Sequence, residues 1–303
     1  MVQSGNEDQN PPETSCRQEG PSSHLLTMNK RAVVIAGDYR TFESAVDSMR
    51  PLFHGADVFV SVWATSSFYH KINPKNVYGQ STITEDDVLR ALDPIRPVRM
   101  TVEEYDPVFW RGQGYNANFL HRLRTGVTLV RKEALSRREK YDSVLFLRPD
   151  VFFGQNIDRL LDPVMNLEVG DFVTVFSLPE RVRKFKTLND ILFAVHYDDL
   201  DRAVPTVQGF QPHKSEDWHT FYCRYVIEEN GLTVKNVEEV QLVILRPPAV
   251  PGMKWEQAVN NSHTWDDPYV IRAVNVDGVK KACRDWGKHA VIRAIQNLDE
   301  TSE

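Results

Sequence analysis

Short apolar runs alternate with longer amphipathic stretches through the first half of the chain. Arg31 to Ala36 is rich in β-branched residues and runs straight into Gly37-Asp-Tyr-Arg-Thr-Phe42. A strand followed by a tight turn is predicted there. From Phe42 to Leu52 the apolar positions recur at helical spacing, with an end expected near Pro51. Asp57-Val-Phe-Val-Ser-Val-Trp63 is apolar on both faces, as strands are in a parallel sheet covered by helices. Thr84 to Leu92 opens with a capping residue and acids in its first turn, which marks a helix start. Pro97 to Glu103 reads as a third strand. Asn116 to about Arg138 reads as a long helix with Leu120, Leu123, Val127, Val130 and Ala134 on one face, and Ser143 to Leu147 as a buried strand.

This alternation predicts an α/β fold, a mostly parallel Rossmann-like sheet flanked by helices and joined by right-handed crossovers. After Asp150 the pattern is less regular, and a decorated C-terminal half is expected. Asp171 to Phe176 and Asp190 to Val195 read as strands or short buried segments, and His196 to Ala203 as a helix. Lys214 to Asn230 reads as a helix with Gly231 as its C-cap. Leu232 to Lys235 and Val240 to Leu245 read as late strands.

The 303 residues, 41% of them hydrophobic, suffice for one large α/β domain or two small ones. No repeat or linker divides them, so one domain is expected over residues 29–295. Residues 1–28 are rich in Ser, Pro, Gln, Glu, Gly and Asn and are expected to form a disordered tail. The net charge of −6 argues against a nucleic-acid partner. Cys16, Cys223 and Cys283 have no metal-binding spacing and suggest neither a zinc site nor a disulfide framework. No apolar run has the length of a membrane span, and the N-terminus lacks the apolar core of a signal peptide. A cytoplasmic protein is expected. No pattern speaks to oligomeric state.

The candidate chemistry lies at strand ends. The buried run Ser143 to Leu147 stops abruptly in Arg148, Pro149 and Asp150. Ligands of open α/β sheets bind outside the carboxyl ends of strands. A carboxylate there can hold a divalent metal, and an arginine can grip a phosphate with two parallel hydrogen bonds. Together they suggest a nucleotide-diphosphate substrate, although the same three residues also read as a polar turn. Gly37-Asp38-Tyr39-Arg40 occupies the first strand-to-helix turn. Its glycine admits a ligand close to backbone amides, a helix start attracts phosphate, and Arg40 is placed to meet a diphosphate. One glycine is not the dinucleotide fingerprint, and a plain βα turn is the competing reading.

In this order, the Gly-Asp-Tyr-Arg-Thr-Phe turn, the Asp57–Trp63 strand and the segment ending Arg148-Pro-Asp-Val-Phe-Phe153 resemble the GT-A fold nucleotide-diphospho-sugar glycosyltransferases. The resemblance covers roughly residues 30–245 and is to microbial and viral-type members with Arg-Pro-Asp in place of Asp-x-Asp. It implies a sugar-nucleotide donor and a Mn²⁺ or Mg²⁺ ion held by Asp150, at the position of the last acid of that motif. Arg148 stands where the first acid would be. Either Asp150 works with few protein ligands, or Arg148 itself neutralises the diphosphate and metal dependence is weakened. Gly37, Asp38, Tyr39 and Arg40 would sit beside the nucleotide, and Asp57 would touch the base or only cap its strand.

Ser215-Glu216-Asp217-Trp218 is similar in place to the acidic motif that supplies the base in inverting members. Asp217 is the first choice for this role and Glu216 the second; two acids opening a helix also complement its dipole. Asp190 would bind donor or acceptor sugar, or is an ordinary strand-edge acid. His213, His219, His263 and His289 are candidates for a late metal ligand, none favoured by spacing. Trp218, Trp255 and Trp265 would stack on sugar rings or lie in the core. The sequon at Asn260 carries no weight without a secretory route.

The expected activity is transfer of a hexose or pentose from a nucleotide-diphosphate donor to a hydroxyl of a glycan or glycolipid in polysaccharide biosynthesis, with metal assistance. Two alternatives stand beside it. One is a catalytically inactive relative that binds a glycan or a protein, prompted by the cation at Arg148. The other is a sugar nucleotidyltransferase, whose first loop would be longer and richer in glycine.

Overall fold

The structure, a computed structural model, describes residues 29–39, 41–68, 78–104, 115–154, 156–175, 188, 191–208, 218–237, 240–245 and 249–261. Strand β1 (Arg31–Asp38) leads to α1 (Phe42–Phe53), β2 (Ala56–Trp63), the antiparallel pair β3 (Thr65–Phe68) and β4 (Tyr78–Thr82), α2 (Glu85–Leu92) and β5 (Arg99–Glu103). The long helix α3 (Tyr115–Arg137) precedes β6 (Ser143–Leu147) and β7 (Val151–Phe153). After a 3-10 turn at Ile157–Leu160 come α4 (Leu161–Met165), β8 (Asp171–Thr174), β9 (Leu192–His196), α5 (Leu200–Ala203) and α6 (Trp218–Cys223). Strands β10 (Thr233–Asn236) and β11 (Leu242–Ile244) and helix α7 (Trp255–Asn261) complete the described elements.

The central sheet has seven strands in the order β10–β8–β9–β6–β1–β2–β5. All run parallel except β9, which opposes β6 on one side and β8 on the other. The expected mostly parallel α/β sheet is therefore present. From β1, the chain places β2 and β5 on one side and β6 on the other. Such a reversal leaves a crevice at the carboxyl ends of the two strands that flank it, here β1 and β6.

Alternation along β1 divides the core. Val33 and Ile35 face one apolar cluster with Phe42, Val46 and Met49 of α1. Ala32, Val34 and Ala36 face the other with Leu120, Leu123, Val127 and Val130 of α3. Side chains of a strand point to opposite faces in turn, so a strand covered on both sides must be apolar throughout. Helix α3 approaches very closely at Gly126, where a Cβ would lie 2.4 Å from Val34 Cγ1. Helix α2 starts on a capping box in which Thr84 and Asp87 each satisfy the other's backbone N–H.

Several expectations shift. Helix α1 does not stop at Pro51 but runs to Phe53. Proline in a last turn removes a single hydrogen bond, which the packing of Leu52 and Phe53 offsets. The segment expected as a helix from His196 begins as a 3-10 turn, Tyr197–Asp199, before α5. In the segment expected as a helix from Lys214, residues 214–217 lie outside the described ones; α6 continues as a π-helix, Arg224–Glu229. Gly231, just past it, adopts φ +62°, as expected of the residue that closes a helix. β11 pairs with β7 rather than joining the main sheet. The tail at 1–28 and the end of the expected domain, 262–295, are outside the described residues. No described helix is long and apolar enough to cross a membrane.

Candidate functional site

The two sequence corners meet at the crevice. Strand β6 ends at Leu147, and Arg148 donates its backbone N–H to the carbonyl of Ile191 at 3.1 Å. Two residues on, the Asp150 carbonyl accepts from the Leu245 N–H at 2.8 Å, because β7 leaves the sheet to pair with β11. Facing this corner is Gly37, with φ +138°, a conformation open to glycine and costly for other residues. A Cβ on Gly37 would lie 3.3 Å from Pro149 Cδ and 3.8 Å from the Phe119 ring. The first strand-to-helix turn and the Arg-Pro-Asp corner are thus in contact at the switch of strand order.

Arg148 and Asp150 form one paired unit. Arg148 Nε and Nη2 donate to Asp150 Oδ1 and Oδ2 at 3.0 and 2.8 Å. The carboxylate side chain is 2% exposed and the guanidinium side chain 16%. A divalent cation needs several hard oxygen ligands with lone pairs turned toward it. Here both carboxylate oxygens already accept from a cation, and among the described residues no three His, Cys, Asp or Glu side chains group to hold an ion. The described residues do not fit a divalent-metal centre. Asp150, expected as a metal ligand, pairs with Arg148, whose planar fork matches a carboxylate two residues away.

The other expected contacts divide. Asp38 closes β1, half-buried, beside Trp63 of β2 in register. Tyr39, expected at the nucleotide, is 2% exposed. Its ring meets Phe42 edge-on at 5.4 Å, and its hydroxyl lies 3.1 Å from Glu43 Oε1 and 3.3 Å from the Asp87 carbonyl. Burial, then the Glu43 carboxylate, pushes its pKa far up. The Tyr39 side chain is therefore a core group. Arg40, Asp190, Glu216 and Asp217 lie outside the described residues, as do His213, His263, His289 and Trp265. Among the described residues, Tyr39 adjoins Arg40, Ile191 adjoins Asp190 and Trp218 adjoins Asp217. Tyr39 follows Gly37 closely. Ile191 accepts from the Arg148 backbone. Trp218 stands edge-on to Phe119 at 6.3 Å, and Phe119 in turn lines Gly37.

Trp218 also stacks on Tyr222 at 5.3 Å, and Trp255 packs over Gly154, where a Cβ would lie 2.7 Å from its ring. Both are packing groups. Asp57 accepts from Tyr141 and Arg137 at 2.7 and 2.6 Å at the amino end of β2, away from the crevice. That decides between its two readings: it anchors the sheet's opposite edge.

A second polar cluster, missed in the sequence, lies along the same carboxyl edge. Arg122, fully buried, donates to Glu103 and to the Val62 carbonyl, and its guanidinium sits 4.1 Å from the Trp63 ring centre. His121 stacks on the same ring at 5.6 Å and lies 3.1 Å from Glu103 Oε2. Desolvation lowers the Arg122 pKa, with Glu103 opposing. Its hydrogen bonds to His121 and Arg122, together with their charge, hold the Glu103 carboxyl low in spite of desolvation. The available signal was Glu103 itself, an acid ending a strand as Asp150 follows one.

No family model and no curated protein matches the chain. Among solved structures, it is similar to the galactosyltransferase LgtC in complex with donor and acceptor sugar analogs. The likeness covers 68% of this chain and 73% of that one, at 13% identity and a TM-score of 0.37. The site's own geometry carries the functional reading.

Proposed function

We propose that the protein is a glycosyltransferase that moves a sugar from a nucleotide-diphosphate donor to a hydroxyl of a glycan or glycolipid. The contact between Gly37 and Pro149 at the strand-order switch, under the Arg148–Asp150 pair, carries this reading. It joins a backbone that admits close approach to a cation suited to phosphate. In the reaction the acceptor oxygen forms a bond to the anomeric carbon, and the bond from that carbon to the diphosphate oxygen breaks. Negative charge develops on the departing nucleoside diphosphate, where a fixed guanidinium stabilises it. The acceptor's proton passes to a carboxylate, Asp217 first and Glu216 second. The tie of Trp218 to Gly37 through Phe119 supports that assignment. Arg40 and Asp190 are assigned to the donor on the same ground, their neighbours Tyr39 and Ile191 flanking the corner.

The test is incubation with UDP-, GDP- and TDP-sugars, with and without Mn²⁺, following free nucleoside diphosphate. One donor is expected to be consumed by the native protein and spared by Arg148→Ala. Absence of hydrolysis, transfer and thermal shift with every donor defeats the proposal. The closed Arg148–Asp150 pair also favours a second reading, a glycan-binding module without turnover. Glycan binding that needs no donor and survives Asp150→Ala would establish it.

A further inference from the structure

We infer that Glu103 reads the base of the donor and that this base is guanine, with Arg122 as the positioning residue behind the carboxylate. The inference rests on the glycosyltransferase reading and names the nucleotide of its donor. Asp38, Trp63 and Glu103 stand in register at the carboxyl ends of β1, β2 and β5. Adjacent strands lie about 4.8 Å apart, which puts Glu103 about 10 Å from β1 along the crevice edge. On the far side of β6 the next strand is the antiparallel β9. The unbroken row of carboxyl ends therefore runs from the Arg148 corner through β1 and β2 to Glu103. Helix α3 spans the same ground. Its Phe119 lines Gly37, and its His121 and Arg122 hold Glu103, all within about one helical turn. A nucleotide with its diphosphate at Gly37 brings its base to Glu103.

The carboxylate is set to accept. Arg122, its side chain fully buried, donates to Glu103 Oε2 and to the Val62 carbonyl, and its guanidinium packs on the Trp63 ring. His121 Nε2 lies 3.1 Å from the same carboxylate oxygen. Oε2 is thereby occupied, whereas Oε1 has no partner among the described residues, on a side chain 40% exposed. Against desolvation, the bonds and charge of His121 and Arg122 hold the carboxyl low, so Glu103 accepts and does not donate. Guanine alone of the common bases turns two adjacent N–H donors, N1–H and its amine, to one edge, with its carbonyl beyond them. Both donors can converge on the two lone pairs of Oε1. Uracil and thymine place their single N–H between two carbonyl oxygens, and adenine and cytosine place a ring acceptor beside the amine. A carboxylate repels those acceptors, which selects against the other bases.

The test titrates the full chain calorimetrically with GDP, UDP, TDP and IDP, the last being GDP without the base amine. GDP is expected to bind about tenfold or more tightly than each of the others, the worth of one charge-assisted hydrogen bond. Glu103→Gln replaces the charged acceptor and is expected to bring the GDP Kd to within about threefold of the UDP value, with UDP binding itself little changed. Arg122→Lys keeps the charge but not the fork, and is expected to narrow the GDP preference in the same direction. A loosened sheet edge would instead weaken all four nucleotides alike and leave their ratios unmoved. A native preference for GDP below about tenfold against any of the other three, or one that survives Glu103→Gln, overturns the inference. Consumption of any sugar nucleotide in the donor panel still upholds the glycosyltransferase reading in that case. Silence of all four nucleotides, with a silent donor panel, overturns the reading and the inference together. The native ratios decide the matter even if neither variant folds.

Discussion

Asp150 keeps a carboxylate in a nearly dry corner because Arg148 shares its charge through two hydrogen bonds. Removing Arg148 takes two charge-assisted bonds from a buried carboxylate, and breaking a buried pair costs about 3–5 kcal/mol. Arg148→Ala is therefore expected to lower the urea midpoint strongly without changing the slope of the transition. A loss below about 1 kcal/mol, the range of surface pairs, would show that the pair is not structurally coupled. A different carboxylate gives a pH signature. Asp201 accepts from Arg131 at 2.7 Å and from Arg124 at 2.9 Å. The Arg131 bond, then Arg124, outweighs partial desolvation and holds its pKa below the ordinary range. A group whose pKa is lower folded than unfolded lends stability above its unfolded value, about 3.9. That stability is lost as pH falls through the folded value. Asp201→Asn should flatten the acid limb of a Tm–pH curve below about pH 4 and leave the neutral region level. An unchanged acid limb would contradict the assignment.

At the scale of elements, the apolar pattern located β1, β2, β6 and the long helix to within a few residues. Strands buried on both faces and helices with one apolar stripe leave unmistakable periods. The direction of β9 was not legible, because a short buried strand reads the same whichever way it runs. Nor was the pairing of β7 with β11, three residues each, too short to carry a period. The close seat of α3 on β1 depends on Gly126, and Gly126→Ala drives a methyl to within 2.4 Å of Val34. Overpacking of this kind costs about 1–3 kcal/mol, whereas the same change on an exposed helix face would stabilise. Thr84→Ala removes the capping box of α2 and should cost about 1 kcal/mol. Thermal unfolding of the two variants checks both, and a more stable Gly126→Ala would mean that helix and strand sit further apart.

For the whole molecule, the position of the crevice follows from strand order, which no local pattern encodes. The residues at its corners were nevertheless legible as polar groups ending apolar strands, and Gly37 and Pro149 do meet. What those side chains do there was less legible. Arg148 and Asp150 read as a phosphate clamp beside a metal ligand, or as a polar turn, and only their mutual geometry shows the fork. Tyr39 reads as a turn residue but points into the core. The Glu103–His121–Arg122 cluster joins β5 to α3 through Trp63 of β2, a contact absent from any single stretch of chain. The account turns on the Gly37–Arg148 crevice being the donor site. The most direct measurement is a crystal structure after soaking with UDP or GDP. Diphosphate density at the corner of Gly37 and Arg148 is the predicted result; nucleotide bound elsewhere, with that corner empty, would contradict it.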